Sequence, residues 1–172
     1  MTPQYIFLVG PMGAGKSTIG KHLADLLDLP FVDVDTEIES RAGADIQWIF
    51  DMEGEQGFRD RECKVLLELA ENGQSMVIAT GGGIVLRDEN RAVLQRSGTV
   101  IYLSATAEQL FERTRRDKSR PLLQVDDRRA VIAELVETRD PLYNQVADLV
   151  FPSGSMQPNK LAKKLAEALS AL

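Results

Sequence analysis

Residues 10–17 read Gly10-Pro11-Met12-Gly13-Ala14-Gly15-Lys16-Ser17, and they restrict what this chain can fold into more than any other stretch. They fit the pattern G-x-x-x-x-G-K-[ST] in full. The apolar run Tyr5-Ile6-Phe7-Leu8-Val9 precedes them, and a helix-compatible stretch from Ser17 to Leu27 follows. Strand, glycine-rich loop and helix in that order make a phosphate cradle. The glycines let the backbone curl so that successive N–H groups face one anion, and the helix N-terminus adds partial positive charge. In such a loop Lys16 reaches the β- and γ-phosphates of a nucleoside triphosphate, and the Ser17 hydroxyl ligates Mg²⁺. Gly13, Ala14, Gly15 and Thr18 complete the expected phosphate-contacting set. The competing reading, a glycine-rich turn opening an ordinary helix, does not account for a complete match in the correct place. The loop predicts a triphosphate such as ATP. It does not say what receives the phosphate.

The rest of the chain must supply a sheet to carry this loop. Apolar runs predict strands at Gln4–Val9, Pro30–Val34, Ser75–Thr80, Thr99–Leu103 and Ala147–Phe151. Helical patterns fall between them near Lys16–Leu27, Asp45–Met52, Gln56–Glu71, Asp88–Gln95, Ala107–Arg115 and Arg128–Glu137, with a last helix at Asn159–Leu169. Near-continuous apolar strands separated by helices indicate an α/β fold whose parallel sheet is covered on both faces. Two stretches break the alternation. Thr36 to Glu71 is longer than a minimal crossover, and Arg113 to Val125 is charged and ends in Arg120-Pro121-Leu122.

A chain of 172 residues, 44% hydrophobic and 27% charged, suits one domain with a real core. No repeat, low-complexity segment or linker divides it. The net charge of −6 disfavours binding to a nucleic-acid backbone. The one cysteine, Cys63, cannot form an internal disulfide, and the one histidine, His22, cannot build a triad or a histidine-rich metal site. No run approaches transmembrane length, and Tyr5–Val9 is too short for a signal core. The expectation is a cytoplasmic protein with neither a membrane nor a nucleic-acid partner.

Ligands of open parallel sheets bind outside the carboxyl ends of the strands. The second strand ends in Asp33-Val34-Asp35. Either acid can hold a magnesium-bound water or accept a hydrogen bond from an attacking hydroxyl; alternatively Asp35 or Thr36 caps the next helix, with Glu39 completing a box from Thr36. The third strand ends in Thr80-Gly81-Gly82-Gly83, which permits close approach of backbone to ligand or simply a flexible turn. Arg59 and Arg139 read alone as solvated helix charges, yet a small anionic substrate needs planar bidentate donors. The basic run Arg113, Arg115, Arg116, Lys118, Arg120 is a solvated face, a nucleic-acid patch, or a lid that lowers a cation onto a transferring phosphate; the lid is the preferred reading, with Arg120 its working residue. Asp51-Met52-Glu53-Gly54 matches Asp-x-x-Gly but falls in a helical insertion, and Trp48 reads equally as core or as a pocket wall.

Taken together, the loop through Thr18, Asp33-Val34-Asp35, Gly57-Phe58-Arg59, Thr80-Gly81-Gly82-Gly83, Arg120-Pro121-Leu122 and Arg139-Asp140-Pro141-Leu142-Tyr143 resemble the shikimate kinase family in order and spacing. That resemblance implies a three-layer P-loop fold with a five-stranded parallel sheet flanked by helices. It implies one domain over residues 1–172, with a substrate-binding insertion near 36–62 and a lid near 112–125. The implied reaction is ATP-dependent phosphorylation of the 3-hydroxyl of shikimate, on the route to the aromatic amino acids. By resemblance Asp35 binds shikimate hydroxyls, Arg59 and Arg139 take its carboxylate, and the Gly82 backbone closes the pocket. Lys16, Asp33 and Arg120 are the expected catalytic residues, Ser17 the metal ligand, and Gln157 lies in the loop that borders adenine. The implied partners are ATP, Mg²⁺ and shikimate, and the implied state is a monomer. Kinases of gluconate or nucleoside monophosphates share the architecture, but the two arginines and the glycine triplet argue against them. A non-enzymatic nucleotide switch is disfavoured by the lack of an Asn-Lys-x-Asp guanine motif.

Overall fold

A computed structural model describes residues 2–115, 121–123, 125–154 and 156–172. Strands β1 (Tyr5–Val9), β2 (Phe31–Asp33), β3 (Met76–Ala79), β4 (Thr99–Ser104) and β5 (Leu149–Pro152) form a wholly parallel sheet in the order β2-β3-β1-β4-β5. All five coincide with the apolar runs that predict them, β4 and β5 each running one residue further, to Ser104 and Pro152. β1 is central and buried on both faces, as its unbroken run of apolar residues requires.

Period-two geometry sorts the strand residues between two cores. Ile6, Leu8, Val77, Ile101 and Leu103 pack against α1 (Lys16–Leu27) and α7 (Pro158–Ser170). Phe7, Val9, Ile78, Val100 and Tyr102 pack against α2 (Val34–Ala42), α3 (Ile46–Ala70), α4 (Asp88–Ser97) and α6 (Arg128–Val146). The result is the expected helix–sheet–helix sandwich. Burying one such Leu or Ile is worth about 1.5–3 kcal/mol, so the central strand is the best-anchored support for a loop. A third, smaller core joins Leu110 of α5 (Ala107–Thr114) to Leu123 and Ile132.

Three local expectations are corrected. The helices expected at Asp45–Met52 and Gln56–Glu71 form one run, α3, with a pivot at Gly54, whose φ of 75° and ψ of 176° are open essentially to glycine alone. α6 does not stop at Glu137 but continues through Pro141 to Val146. Burial of Ile132, Arg139, Tyr143 and Val146 along one side outweighs the hydrogen bond lost at the proline. The cap of α2 is neither Asp35 nor Thr36 but Asp33, whose Oδ1 accepts from the Thr36 N–H at 3.1 Å. Glu39 therefore closes no box, and instead accepts from the Ile46 N–H at 3.1 Å, tying α2 to the start of α3.

Candidate active site

The loop leaves β1 with Gly10, Gly13 and Gly15 at φ of 145°, 85° and 95°, a backbone path that favours glycine at all three positions. A Cβ at Gly10 would strike the carbonyl of Leu103 on β4, so the chain has no room to widen there. Ala14 turns its methyl into the core and donates its N–H to the Pro11 carbonyl at 3.1 Å. The Lys16 ammonium is buried and bridges the Gly10 and Pro11 carbonyls at 2.5 and 2.9 Å, closing the loop on itself. Ser17 Oγ donates to Asp33 Oδ2. Asp33 thus uses one oxygen to cap α2 and the other to hold the hydroxyl at the mouth of the loop. A cavity of about 270 Å³ lies over Gly13, Lys16, Ser17, Thr18 and Asp33.

Beside it is a second cavity of about 220 Å³. Ile46, Phe50 and Phe58 give it an apolar wall, while Arg59, Glu62 and Arg139 give it charge. Arg59 and Arg139 are 5% and 6% exposed, so neither is a solvated helix charge. Arg61, indistinguishable from Arg59 in sequence, faces outward and forks Glu53 with two bonds of 2.8 Å. Arg59 instead donates to Glu62 Oε1 at 3.0 Å and, at 3.4 Å, to Glu55. Glu62 is fully buried and its Oε2 lacks a hydrogen-bond partner among the described residues. Burial pushes its carboxyl up to about 7, Arg59 pulls against that, and Asp35 reinforces it. Asp35, Met12, Gly81 and Gly82 line both cavities, so the two open onto each other across one short wall.

The glycine triplet at the end of β3 is explained by space. None of the three has a positive φ. A Cβ on Gly81 would sit 2.9 Å from Asp35 Oδ1 and 3.0 Å from Glu62 Oε2. On Gly82 it would sit 3.3 Å from the Met12 backbone nitrogen of the phosphate loop, and on Gly83 it would land in the Arg59 guanidinium. Gly81 and Gly83 therefore make room for charged side chains, and Gly82 for the close approach of the first loop. Two buried guanidinium forks converging there make a receptor for a planar anion.

Other expected residues are placed as follows. Arg120 lies outside the described residues. Gln157 is exposed at the N-cap of α7 and its side chain makes no capping bond. Trp48 is half-exposed and belongs to neither core nor cavity wall; Phe50 and Phe58 take the wall. Arg113, grouped by sequence with the lid, reaches instead into the phosphate cavity. It donates to the Gly13 carbonyl at 3.1 Å, the Ser153 carbonyl at 2.6 Å and the Gly154 carbonyl at 2.8 Å. Glu62 and Tyr143 also belong to the site and carried no assigned role in the sequence reading; Tyr143 donates to the Gly82 carbonyl at 2.5 Å. Their only sequence signal is position, one turn beyond Arg59 and Arg139 respectively.

The sequence model of shikimate kinase matches residues 12–170. The chain belongs to the shikimate kinase family. It is similar to shikimate kinases of Histophilus somni, at 52% identity over 97% of this chain and 95% of the relative, and of Shewanella denitrificans, at 54% over 95% of each. Among solved structures it resembles shikimate kinase from Acinetobacter baumannii in complex with shikimate. The TM-score is 0.96 at 46% identity, covering 99% of this chain and 94% of that one. Shikimate kinase from Aquifex aeolicus superposes with a TM-score of 0.84 at 35% identity, over 98% of this chain and 97% of that one. Among the described residues no helix is long and apolar enough to cross a membrane.

Proposed function

We propose that this chain moves the γ-phosphoryl group of ATP to the 3-hydroxyl of shikimate through the two joined cavities, with the residue roles set out below. The reaction itself, ATP-dependent phosphorylation of shikimate in aromatic biosynthesis, follows from membership of the family. The observation that supports the roles is the shared wall of Asp35 and Gly82, with Lys16 and Ser17 on one side and Arg59 and Arg139 on the other.

ATP phosphates occupy the loop formed by Gly13, Ala14, Gly15, Lys16, Ser17 and Thr18. Lys16, now satisfied by two carbonyls, presents its charge to the β- and γ-phosphates. The Ser17–Asp33 pair fits Mg²⁺, which takes one or two protein ligands and otherwise keeps water and phosphate oxygens. When bound, that ion neutralises charge on the phosphates. Arg59 and Arg139 fork the shikimate carboxylate, with the Gly82 backbone closing the pocket. Asp35 lines both cavities, so it is the carboxylate assigned to the acceptor hydroxyl; Asp33 is committed to Ser17 and to its cap. Transfer is loose, so orienting the hydroxyl matters more than a strong base. A bond forms from the acceptor oxygen to phosphorus, the bond to the ADP oxygen breaks, and the hydroxyl proton leaves late towards Asp35 or water.

The proposal extends to the lid near 112–125, from which Arg120 meets the phosphates, and to the loop after β5, where Gln157 and Arg113 border adenine. It also holds that residues 1–172 act as one domain with its substrate insertion near 36–62, as a cytoplasmic monomer without nucleic acid or membrane. A coupled ADP-release assay with ATP–Mg²⁺ tests the reaction. ADP should appear quickly only when shikimate is present, and not with gluconate or a nucleoside monophosphate. Slow hydrolysis indifferent to shikimate overturns the reading.

A further inference from the structure

Tyr143 sits beneath both acceptor-side groups of α6 and the β3 loop. It is 1% exposed, and its hydroxyl donates to the Gly82 carbonyl at 2.5 Å. The Arg139 guanidinium, one turn earlier on α6, borders the same corner: its Nη1 and the Tyr143 hydroxyl stand 3.5 and 3.7 Å from the point where a Cβ on Gly82 would sit. Tyr143 therefore bonds to one and borders the other of two groups that no secondary structure connects. The ring is held in turn. It packs on Tyr102 of β4 with ring centroids 4.9 Å apart, and Tyr102 donates to Asp140 Oδ1 at 2.6 Å.

We propose that Tyr143 is a positioning residue for the acceptor, fixing the Arg139 guanidinium and the Gly82–Gly83 peptide in the arrangement that receives the substrate carboxylate. The inference rests on the carboxylate reading given above. Glycine carries the largest conformational freedom of any residue, so a Gly-Gly-Gly loop needs an external tie to hold one peptide orientation. In a trans peptide C=O and N–H point in opposite directions, so holding the Gly82 oxygen also aims the Gly83 N–H. It turns the negative end of that peptide onto Tyr143. Arg139 carries its five donors on one rigid plane, and the Tyr143 side chain beside it restricts how that plane can turn. Receptors fixed before binding lose less on binding, so the benefit belongs in acceptor affinity.

The hydroxyl remains a donor throughout the working range. Burial pushes it up to about 12, while Arg139 and Arg59 pull it down and Glu62 pushes it up. The defect caused by removing it should therefore bear the same ratio to wild type near pH 6.5 and near pH 9, on either side of the Glu62 ionisation.

Tyr143→Phe keeps the ring and deletes the tie. The shikimate KM should rise roughly tenfold, the size expected for one lost hydrogen bond, with ATP KM and kcat within about twofold of wild type. In an Arg139→Ala background the added penalty should shrink to less than half, because one of the two positioned groups is already gone. Tyr102→Phe serves as the packing control: it should lower the melting temperature without moving the shikimate KM. An unchanged shikimate KM in Tyr143→Phe, equal rises for both substrates, or the same KM defect in Tyr102→Phe overturns the proposal. If Tyr143→Phe does not fold, ring-fluorinated tyrosine at this position retains the ring and alters donor strength, and only the shikimate KM should respond. Arg139→Ala alone separates the two levels of inference. Should it leave the shikimate KM unchanged, the carboxylate site is wrong and the Tyr143 role falls with it; should it raise that KM while Tyr143→Phe does not, only the Tyr143 role is wrong.

Discussion

A methyl group at position 83 would occupy the space of the Arg59 guanidinium, although the backbone there suits any residue. Gly83→Ala should consequently fold yet displace Arg59. Misplacing a binding group by about an ångström costs on the order of 100-fold, so the shikimate KM should rise about 10–100-fold with little change for ATP. Steady-state kinetics with each substrate varied would show it, and equal effects on both would argue against the placement of Arg59. Glu62 makes a different prediction. Its carboxyl is raised from 4.5 to about 7, so between those values the folded protein holds a proton that the unfolded chain has released. Stability then falls as pH rises through that window, by up to about 3 kcal/mol at roughly 1.4 kcal/mol per unit. Urea midpoints measured from pH 5 to 8 should decline in the wild type and decline less in Glu62→Gln. Parallel slopes for the two proteins would contradict the burial argument. Neither residue's behaviour was legible beforehand. Arg59 and Arg61 sit two apart beside acids, and only tertiary burial separates a fork facing a cavity from a surface ion pair.

At the scale of elements, the five strands and the phosphate loop were legible because their signals are local and continuous. α3 and α6 were less so. Gly54 and Pro141 are breakers by local chemistry, yet α6 continues because its buried side demands it, and α3 turns at Gly54 without ending. That turn separates Ile46 and Phe50 of the apolar wall from Phe58, Arg59 and Glu62. A Cβ at Gly54 would meet nothing within 4 Å among the described residues, so Gly54→Ala carries a conformational cost, about 1–3 kcal/mol. The expected outcome is a lower melting temperature together with a raised shikimate KM, as one wall of the pocket shifts against the other. A melting temperature equal to wild type would mean that the pivot is not strained by a side chain. Arg59 and Arg139 lie in different helices, far apart in sequence. Their partnership entered the sequence reading through family resemblance, because periodicity carries no information about which distant residues meet.

Across the whole molecule, Arg113 links parts of the chain that the sheet alone would leave independent. From the end of α5 it bonds to the loop after β1 and to the loop after β5. Arg113→Ala should therefore raise the ATP KM about tenfold or more, while the shikimate KM changes less than about threefold. Isothermal titration with each substrate would separate the two. Equal weakening of both would make Arg113 a general stabiliser instead. The sequence placed this residue in a basic run and named Arg120, which lies outside the described residues, as its working member; a run of like charges gives no sign that Arg113 turns inward.

The low wall of Asp35 and Gly82 between the cavities has a practical consequence for inhibitor chemistry. Each cavity is small, and a molecule confined to either one has few contacts to exploit. A tether crossing that wall can carry a carboxylate head to the arginine forks and a polyphosphate tail to the loop. The second attachment then becomes intramolecular, with an effective concentration in the mM range for a short linker, and avidity can exceed either single affinity by about 10²–10⁴. The gain depends on tether length, which the shared wall keeps short.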